Sequence, residues 1–270
     1  MNFKTPAMNR MQPNLPLSRK VLSFSGSVVL ATLLAVFSCS RRGPVTTDIP
    51  DMYSYNQEGK GIPLTLSFKR GPAHNYPLMA VWMEDTAGRF IQTLYISESI
   101  GKGIFHYGQA TRGKWMPGEI RRPAAVPYWT HKRNIRTPEG ELLPTPEHPV
   151  ADTYTGPTPP QSFVMKLRTD RVPPSRFRIL LEINQTWDWN EYWTNNKYPG
   201  DEEYRTSSQP ALVYAAEIDL QDRRNEYPMV PVGHSHYSGR TGELFTDLST
   251  LSTALDIASE IKVILEQAKN

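Results

Sequence analysis

The fold is decided by Leu78-Met-Ala-Val-Trp-Met-Glu, which is followed by Asp85-Thr-Ala-Gly and then by Arg89-Phe-Ile-Gln-Thr-Leu-Tyr-Ile-Ser97. Two runs rich in β-branched and aromatic residues flank a short segment that ends in glycine. This pattern predicts a β-hairpin in which Gly88 adopts the positive φ that its turn requires. We place the hairpin at the centre of a β-sheet, because most of the other ordered segments also have strand character.

Further strands are predicted on both sides of the hairpin. The clearest is 176–186, in which Phe177, Ile179, Leu181 and Ile183 alternate with mostly polar residues, as in a half-buried strand. The remaining predicted strands are 64–69, 162–169, 211–220, an edge strand or irregular segment at 226–232 that carries two prolines, and a closing strand through Ile261, Val263 and Leu265. About seven strands separated by turn signals predict an all-β protein, specifically an immunoglobulin-like β-sandwich.

Two segments interrupt this pattern. Half of the 24 prolines lie between positions 117 and 174, and strand character is missing from 101–160, so this region reads as a long Pro-rich insertion. Its aromatic residues, among them Trp115 and Tyr128, favour an ordered insertion. A short C-terminal helix is predicted from Leu248 to Ala258, with Asp247 as its N-cap.

The N-terminus has the features of a secretory signal. A basic region ending at Lys20 precedes an uncharged apolar run from Val21 to Phe37, and the only cysteine of the chain follows at position 39. A single-pass membrane anchor is the alternative, although the apolar run is slightly short for one. The predicted organisation is a lipoprotein signal peptide at 1–38, a tether at 39–61, and a single sandwich domain at 62–270 that contains the inserted region 101–160.

Val36-Phe-Ser-Cys39 resembles a bacterial lipobox. The resemblance implies that the Cys39 thiol is acylated and anchors the protein to a membrane of the cell envelope. No acidic residue follows Cys39 within its next five positions, which favours a periplasm-facing location over surface exposure.

Charge argues against nucleic acid as a partner. The formal net charge of +3 depends on four basic residues within positions 1–38, and their removal leaves 26 basic and 27 acidic residues. The mature chain therefore has no global positive field to attract a polyanion.

Four segments together resemble a family of predicted periplasmic proteins of unknown function. They are the hairpin, Arg122-Pro-Ala-Ala-Val-Pro-Tyr-Trp129, Asp152-Thr-Tyr-Thr-Gly156 and Glu182-Ile-Asn-Gln-Thr-Trp-Asp-Trp-Asn-Glu-Tyr192. The hairpin alone is also similar to immunoglobulin-like modules of bacterial envelope proteins. Members of the family tend to accompany flavin-transferase and membrane-reductase proteins. The resemblance implies a non-hydrolytic accessory or binding module in a flavin-linked redox or iron-acquisition system, with envelope redox proteins as partners and no established catalytic residues.

Candidate ligand-binding residues fall into two groups. Arg122, Trp129 and His131 lie in a segment rich in arginine, lysine and aromatic residues, which suits a planar anion such as a phosphorylated flavin. The alternative is that this basic segment pairs internally with the acidic segment 182–203. Candidates for a stacking platform for sugar rings are Trp187, Trp189, Tyr192 and Trp193. Such a platform would make the protein a surface glycan-binding lipoprotein, and ordinary packing is the alternative. A structural scaffold without a small ligand is the third hypothesis.

Three smaller motifs complete the candidate sites. His234-Ser-His236 places two imidazoles on one side of an extended strand, which is the start of a metal site but not a complete one. Asp85-Thr86-Ala resembles an O-glycosylation sequon, so Thr86 is a candidate glycan acceptor. Asp152-x-x-Thr155-Gly156-Pro-Thr158 resembles the motif onto whose last threonine a flavin transferase esterifies FMN. That resemblance implies Thr158 as the acceptor, with Asp152, Thr155 and Gly156 as recognition elements, and an ordinary turn is the alternative.

Overall fold

β-Strands dominate residues 49–266, the part of the chain that the computed structural model describes. The strands are β1 (Asp51–Tyr55), β2 (Pro63–Arg70), β3 (Leu78–Asp85), β4 (Phe90–Ser97), β5 (Ile104–Thr111), β6 (Lys114–Glu119), β7 (Thr155–Gly156), β8 (Phe163–Arg168), β9 (Arg176–Asn184), β10 (Leu212–Asp219), β11 (Glu226–Pro228), β12 (Val230–His234) and β13 (Ala258–Leu265). The helices are α1 (Glu98–Lys102), α2 (Pro127–Arg133) and α3 (Glu202–Ser207), with 3-10 turns at Asp152–Tyr154 and Thr253–Asp256. The expected all-β class is confirmed.

Two sheets form a sandwich. One has five strands in the order β1-β8-β2-β13-β11, and the other has six in the order β12-β10-β9-β3-β4-β7. Neighbouring strands are antiparallel except for the parallel pairs β1–β8 and β4–β7. Leu66 and Met165 from the first sheet and Val81 and Leu181 from the second belong to one buried apolar cluster, which is the core between the sheets.

The predicted hairpin is β3–β4, and it lies inside the six-stranded sheet as expected. The Asp85 carboxylate accepts hydrogen bonds from the backbone N–H groups of Ala87 and Arg89, each at 2.9 Å, which fixes the turn. Gly88 has a φ of +75°, so the glycine supplies the conformation that the turn needs.

The inserted region is ordered, and it covers the outer face of the six-stranded sheet. That face carries Trp82 and Leu180, which join Val126, Trp129 and other insertion residues in a second buried apolar cluster. β9 was predicted to be half-buried, but most of its length is buried on both faces. Insertion residues, rather than solvent, therefore contact the outer face of the sheet at these positions.

Two further expectations need correction. The predicted tether at 39–61 contains β1, which pairs in parallel with β8 and therefore belongs to the sandwich. The predicted helix at 248–258 is absent from the described residues, where only the 3-10 turn Thr253–Asp256 forms. The predicted signal peptide at 1–38 and Cys39 lie outside the described residues.

Candidate functional site

An aromatic pocket forms where the loop after β9 meets the segment after β12. Asn190 fixes the loop after β9, since its side-chain oxygen accepts hydrogen bonds from the backbone N–H groups of Tyr192 at 3.0 Å and Trp193 at 2.6 Å. Its side-chain nitrogen donates to the Thr250 carbonyl at 2.9 Å, and the Trp193 indole donates to the Thr250 hydroxyl at 3.2 Å. The two segments are thus tied together at the wall of the pocket.

The pocket is open and has a volume of about 360 Å³, within the size range of small-molecule sites. Its lining residues are Tyr192, Trp193, Tyr198, His234, Ser235, His236, Tyr237, Phe245, Asp247 and Thr250. Most of the lining is aromatic, with a few hydroxyl, imidazole and carboxylate groups between the rings.

Several of these rings are parallel. Tyr198 and Tyr237 stack at 4.0 Å between centroids with an interplanar angle of 5°, and the His236 ring stacks on Tyr237 at 4.4 Å. His234 stacks on Phe245 at 5.4 Å with an angle of 17°. These are two separate stacks, since the His236 and Phe245 rings meet at an angle of 56°, and each stack offers a flat face to a planar ligand or to the apolar face of a sugar ring.

Charged groups stand at this pocket and beside it. The Lys197 ammonium lies 3.1 Å from the centroid of the Tyr192 ring and donates to the Tyr192 carbonyl at 3.1 Å. Hydrogen bonds from Ser249 lower the pKa of Asp247, which keeps that side chain ionised. Burial, reinforced by the positive charge of Arg240, lowers the pKa of His236, so its ring is neutral near pH 7.

The predicted histidine pair lies in the pocket wall, but each ring has its own stacking partner. The His234 ring nitrogen Nδ1 lies 2.8 Å from the Ser235 carbonyl oxygen, and the His236 Nδ1 accepts from the Ser238 N–H at 3.2 Å. Across residues 49–266, no group of three or more His, Cys, Asp or Glu side chains is placed to hold a metal ion.

The four aromatic residues predicted as a sugar platform are divided, and of these Tyr192 and Trp193 line the pocket. Trp187 is 68 % exposed with a positive φ, and Trp189 packs edge-on against Tyr204 at 5.5 Å. No sequence motif predicted Tyr198, Tyr237 or Phe245 as pocket residues. Tyr237 directly follows the histidine pair in sequence, which is the one signal that pointed towards it.

The basic segment forms a second, more polar cleft of about 540 Å³. His131 lines it, together with Arg121, Arg136, Glu141, Glu203 and Arg240. Its arginines have partners within the protein. Arg121 pairs with Glu141, Arg136 donates to the Gly140 carbonyl at 2.6 Å, and Arg240 bonds Asp201 at 3.0 Å. None of these three contacts joins the basic segment to the acidic segment 182–203, because Gly140 and Glu141 belong to the insertion and Arg240 lies after β12.

Arg122 and Trp129 also have structural contacts. The Arg122 guanidinium lies over the Phe105 ring at 5.6 Å and donates to the Thr206 carbonyl at 3.3 Å. Trp129 is completely buried and donates from its indole to the Thr93 hydroxyl at 3.1 Å. Neither side chain lines the basic cleft or the aromatic pocket.

Glu182 connects the insertion to the six-stranded sheet. Its side chain is completely buried on β9, and its two carboxyl oxygens accept from the backbone N–H groups of Tyr128 at 3.0 Å and Trp129 at 2.7 Å. These are the first N–H groups of α2, because Pro127 has none, and they would otherwise lack a partner. Burial raises the pKa of Glu182 to about 8, although the N–H groups of Trp129 and Tyr128 and the hydroxyl of Ser235 favour the ionised form.

The predicted FMN motif is partly built into the sheet. Thr155 and Gly156 are buried in β7 and pair in parallel with Ile96 and Ser97 of β4. A Cβ atom on Gly156 would lie 1.9 Å from the Tyr55 hydroxyl oxygen, so close packing alone requires glycine here.

The ends of the motif are more accessible. Thr158 is partly exposed, and Asp152 is exposed, with an ion pair to Lys102 at 3.0 Å. Thr86 lies exposed on the β3–β4 turn, where a modifying enzyme can reach it.

No protein-family model, curated protein or solved structure matches this chain. Within residues 49–266, no helix combines the length and the apolar character needed to cross a bilayer. The function is therefore inferred from the geometry and from the sequence resemblance.

The raised pKa of Glu182 predicts a specific pH dependence of stability. The pKa of Glu182 is 4.5 in the unfolded chain and about 8 in the folded protein. At a pH between these two values, the side chain is ionised in the unfolded chain but protonated in the native state. The contribution of Glu182 to stability is thus full below pH 4.5 and is lost as the pH rises towards 8. Glu182→Gln should flatten this decline and lower stability at pH 5 by about 1–3 kcal/mol, because one N–H group loses its acceptor.

Urea denaturation of the wild type and Glu182→Gln between pH 5 and pH 8 checks this prediction. The exposed Glu217, on β10 of the same sheet, provides the matched control variant Glu217→Gln. The buried-carboxyl account is wrong if all three proteins show the same pH slope.

Proposed function

We propose that this chain is a non-hydrolytic binding or accessory module of the bacterial cell envelope, anchored through acylated Cys39 and facing the periplasm. We further propose that it works in a flavin-linked redox or iron-acquisition system. The sequence resemblance supports this setting, and the aromatic pocket supports the binding role. The proposal includes an immunoglobulin-like connectivity for the sandwich, for which the two facing, mostly antiparallel sheets are the support.

The observation that carries the binding role is the stack of Tyr198, Tyr237 and His236 in the wall of the pocket. A planar heteroaromatic ligand can continue the stack formed by Tyr198, Tyr237 and His236. Lys197, beside the pocket at Tyr192, supplies a cation for an anionic group such as the phosphate of FMN. A neutral flavin ring alone would gain the stacking but not this charge interaction.

A glycan is the second candidate ligand. Ser235, Asp247 and Thr250 place hydroxyl and carboxylate groups among the aromatic rings of the pocket. Such groups can bond sugar hydroxyls while a ring face packs against the apolar side of the sugar. A structural scaffold without a small ligand is the third possibility, and the same titrations distinguish all three.

The fluorescence of FMN should decrease when the purified protein is added. FMN should also bind more tightly than riboflavin. Phe245→Ala and Tyr192→Ala, which truncate two exposed rings of the pocket, should each weaken FMN binding roughly two- to tenfold. Lys197→Gln should reduce the preference for FMN over riboflavin, because both ligands then lack a cationic partner. Fluorescence titration measures all of these affinities.

Tyr107→Ala is the control, since Tyr107 is 74 % exposed and does not line the pocket. Saturable binding of methyl glycosides without FMN binding would instead support the glycan alternative. If neither ligand class binds saturably, the scaffold hypothesis replaces both.

A covalent form of the proposal assigns FMN to Thr158: the Thr158 hydroxyl oxygen attacks the FMN phosphorus of FAD, a phosphoester forms, the pyrophosphate bond breaks and AMP leaves. Co-expression with a flavin transferase and FAD should then give in-gel flavin fluorescence and an FMN mass on the peptide containing Thr158. Thr158→Ala should remove the label, whereas Thr153→Ala, at an exposed threonine of the same segment, should retain it. An unmodified peptide beside a labelled control substrate ends the covalent hypothesis and leaves a non-covalent or accessory role.

The anchoring proposal has its own test. Cys39→Ser should release the protein from the membrane fraction or leave the precursor uncleaved, because no thiol remains for acylation. Ser40→Ala, at the next position, should behave like the wild type. Fractionation and gel mobility measure the outcome, and a Cys39→Ser protein that matches the wild type in both refutes the lipoprotein assignment.

A further inference from the structure

A two-stranded ribbon formed by β5 and β6 is the least covered part of the described chain. Its strands pair only with each other among the described strands, and its turn is Thr111-Arg112-Gly113-Lys114. Arg112 and Gly113 have φ values of +51° and +74°, which are the signs expected for a type I′ hairpin turn. In the irregular middle of the ribbon, a Cβ on Gly108 would lie 2.2 Å from the Gly118 carbonyl oxygen, so the strands approach closely there.

Large apolar and aromatic side chains project from this ribbon into solvent. Tyr107 is 74 % exposed and Trp115 is 65 % exposed, with Met116 at 48 % and Ile104 at 43 %. Trp115 pairs with Ala110 and Met116 with Gln109, so consecutive residues Trp115 and Met116 lie on opposite faces. Both faces of a narrow ribbon therefore present apolar groups that the rest of the described chain leaves uncovered.

The tip of the ribbon is basic. Arg112 and Lys114 flank the turn glycine, and Glu119, at the end of β6, is the only acidic residue of the ribbon. Neither cation is among the described residues that form ion pairs. Tryptophan and tyrosine with adjacent lysine and arginine are the residues that favour the boundary between lipid headgroups and acyl chains.

We propose that the tip of the β5–β6 ribbon docks on an anionic lipid surface, with Arg112 and Lys114 at the headgroups and Trp115, which pairs with Ala110 next to the turn, beside them at the headgroup boundary. A narrow ribbon with apolar groups on both faces suits insertion between lipids better than the flat contact of a protein interface. The inference draws on the proposed acylation of Cys39 for proximity, because twelve residues to Asp51 span at most about 40 Å. The bilayer is then within reach of the domain.

The experiment uses the mature chain from position 39 with Cys39→Ser, which removes the only cysteine and hence the acylation site and does not carry the apolar run at 21–37. Thr111→Cys in this background places a single thiol at the tip for an environment-sensitive NBD label. Vesicles of phosphatidylcholine with phosphatidylglycerol should raise and blue-shift the NBD emission, whereas vesicles of phosphatidylcholine alone should not. The same label at Gln221→Cys, an exposed position on the β10–β11 turn, should not respond.

Replacing both tip cations should shift the lipid concentration at half response about thirtyfold upwards, since each contributes roughly fivefold near an anionic surface. Arg112→Asn with Lys114→Gln is suitable because asparagine tolerates the positive φ at position 112. Trp115→Ala should lower the emission change at saturation.

No response at Thr111→Cys, or an equal response at Gln221→Cys, overturns the proposal. Without a vesicle response, a protein becomes the candidate occupant of the ribbon. Since the labelled chain has no acylation site, this result is independent of the anchoring test and of the FMN titration.

Discussion

The buried carboxyl group of Glu182 is the contact on which the arrangement around the six-stranded sheet depends. Burying a carboxyl group away from water costs folding free energy unless the group has hydrogen-bond partners inside the protein. Its partners come from outside the sandwich core, namely the first two N–H groups of α2 and the hydroxyl of Ser235. Ser235 lies between His234 and His236, which line the aromatic pocket. One side chain therefore couples the sheet, the insertion and a wall of the candidate site.

A second buried carboxylate reinforces the same cover. Glu84 accepts from the Trp82 indole at 2.9 Å and faces Lys132 at 3.7 Å and Arg178 at 3.9 Å. Lys132 is part of α2 and also donates to the Gly88 carbonyl at 2.9 Å, so the helix is tied to the central hairpin turn. Because α2 has only seven residues, these tertiary contacts, rather than helix propensity, hold it in place.

The alternation of apolar residues was enough to predict most strands of the sandwich. Successive side chains of a strand point to opposite faces, so every second residue faces the core between the sheets and is apolar. The alternation did not predict that the insertion covers the outer face of the six-stranded sheet. Trp82 and Leu180 are apolar residues on that face and were the available indication that it is covered. The helix predicted at 248–258 does not form, and the reason is local. The Asp247 side chain bonds the N–H of Ser249, and side chains from elsewhere occupy backbone groups that a helix would use, including Gln209 at the Ser252 N–H.

The candidate site was harder to predict because its rings come from separate segments of the chain. The sequence pointed to Trp193 and the histidine pair, but the pocket also needs Tyr198 from the first loop and Phe245 from the second. Asn190 brings those loops together through hydrogen bonds that no spacing rule reveals. The ribbon was missed for another reason, since Gly108, Gly118 and Pro117 break its strand pattern. The pocket and the ribbon share no residue, so substitutions at one can change the proposed ligand binding without changing the proposed surface docking at the other.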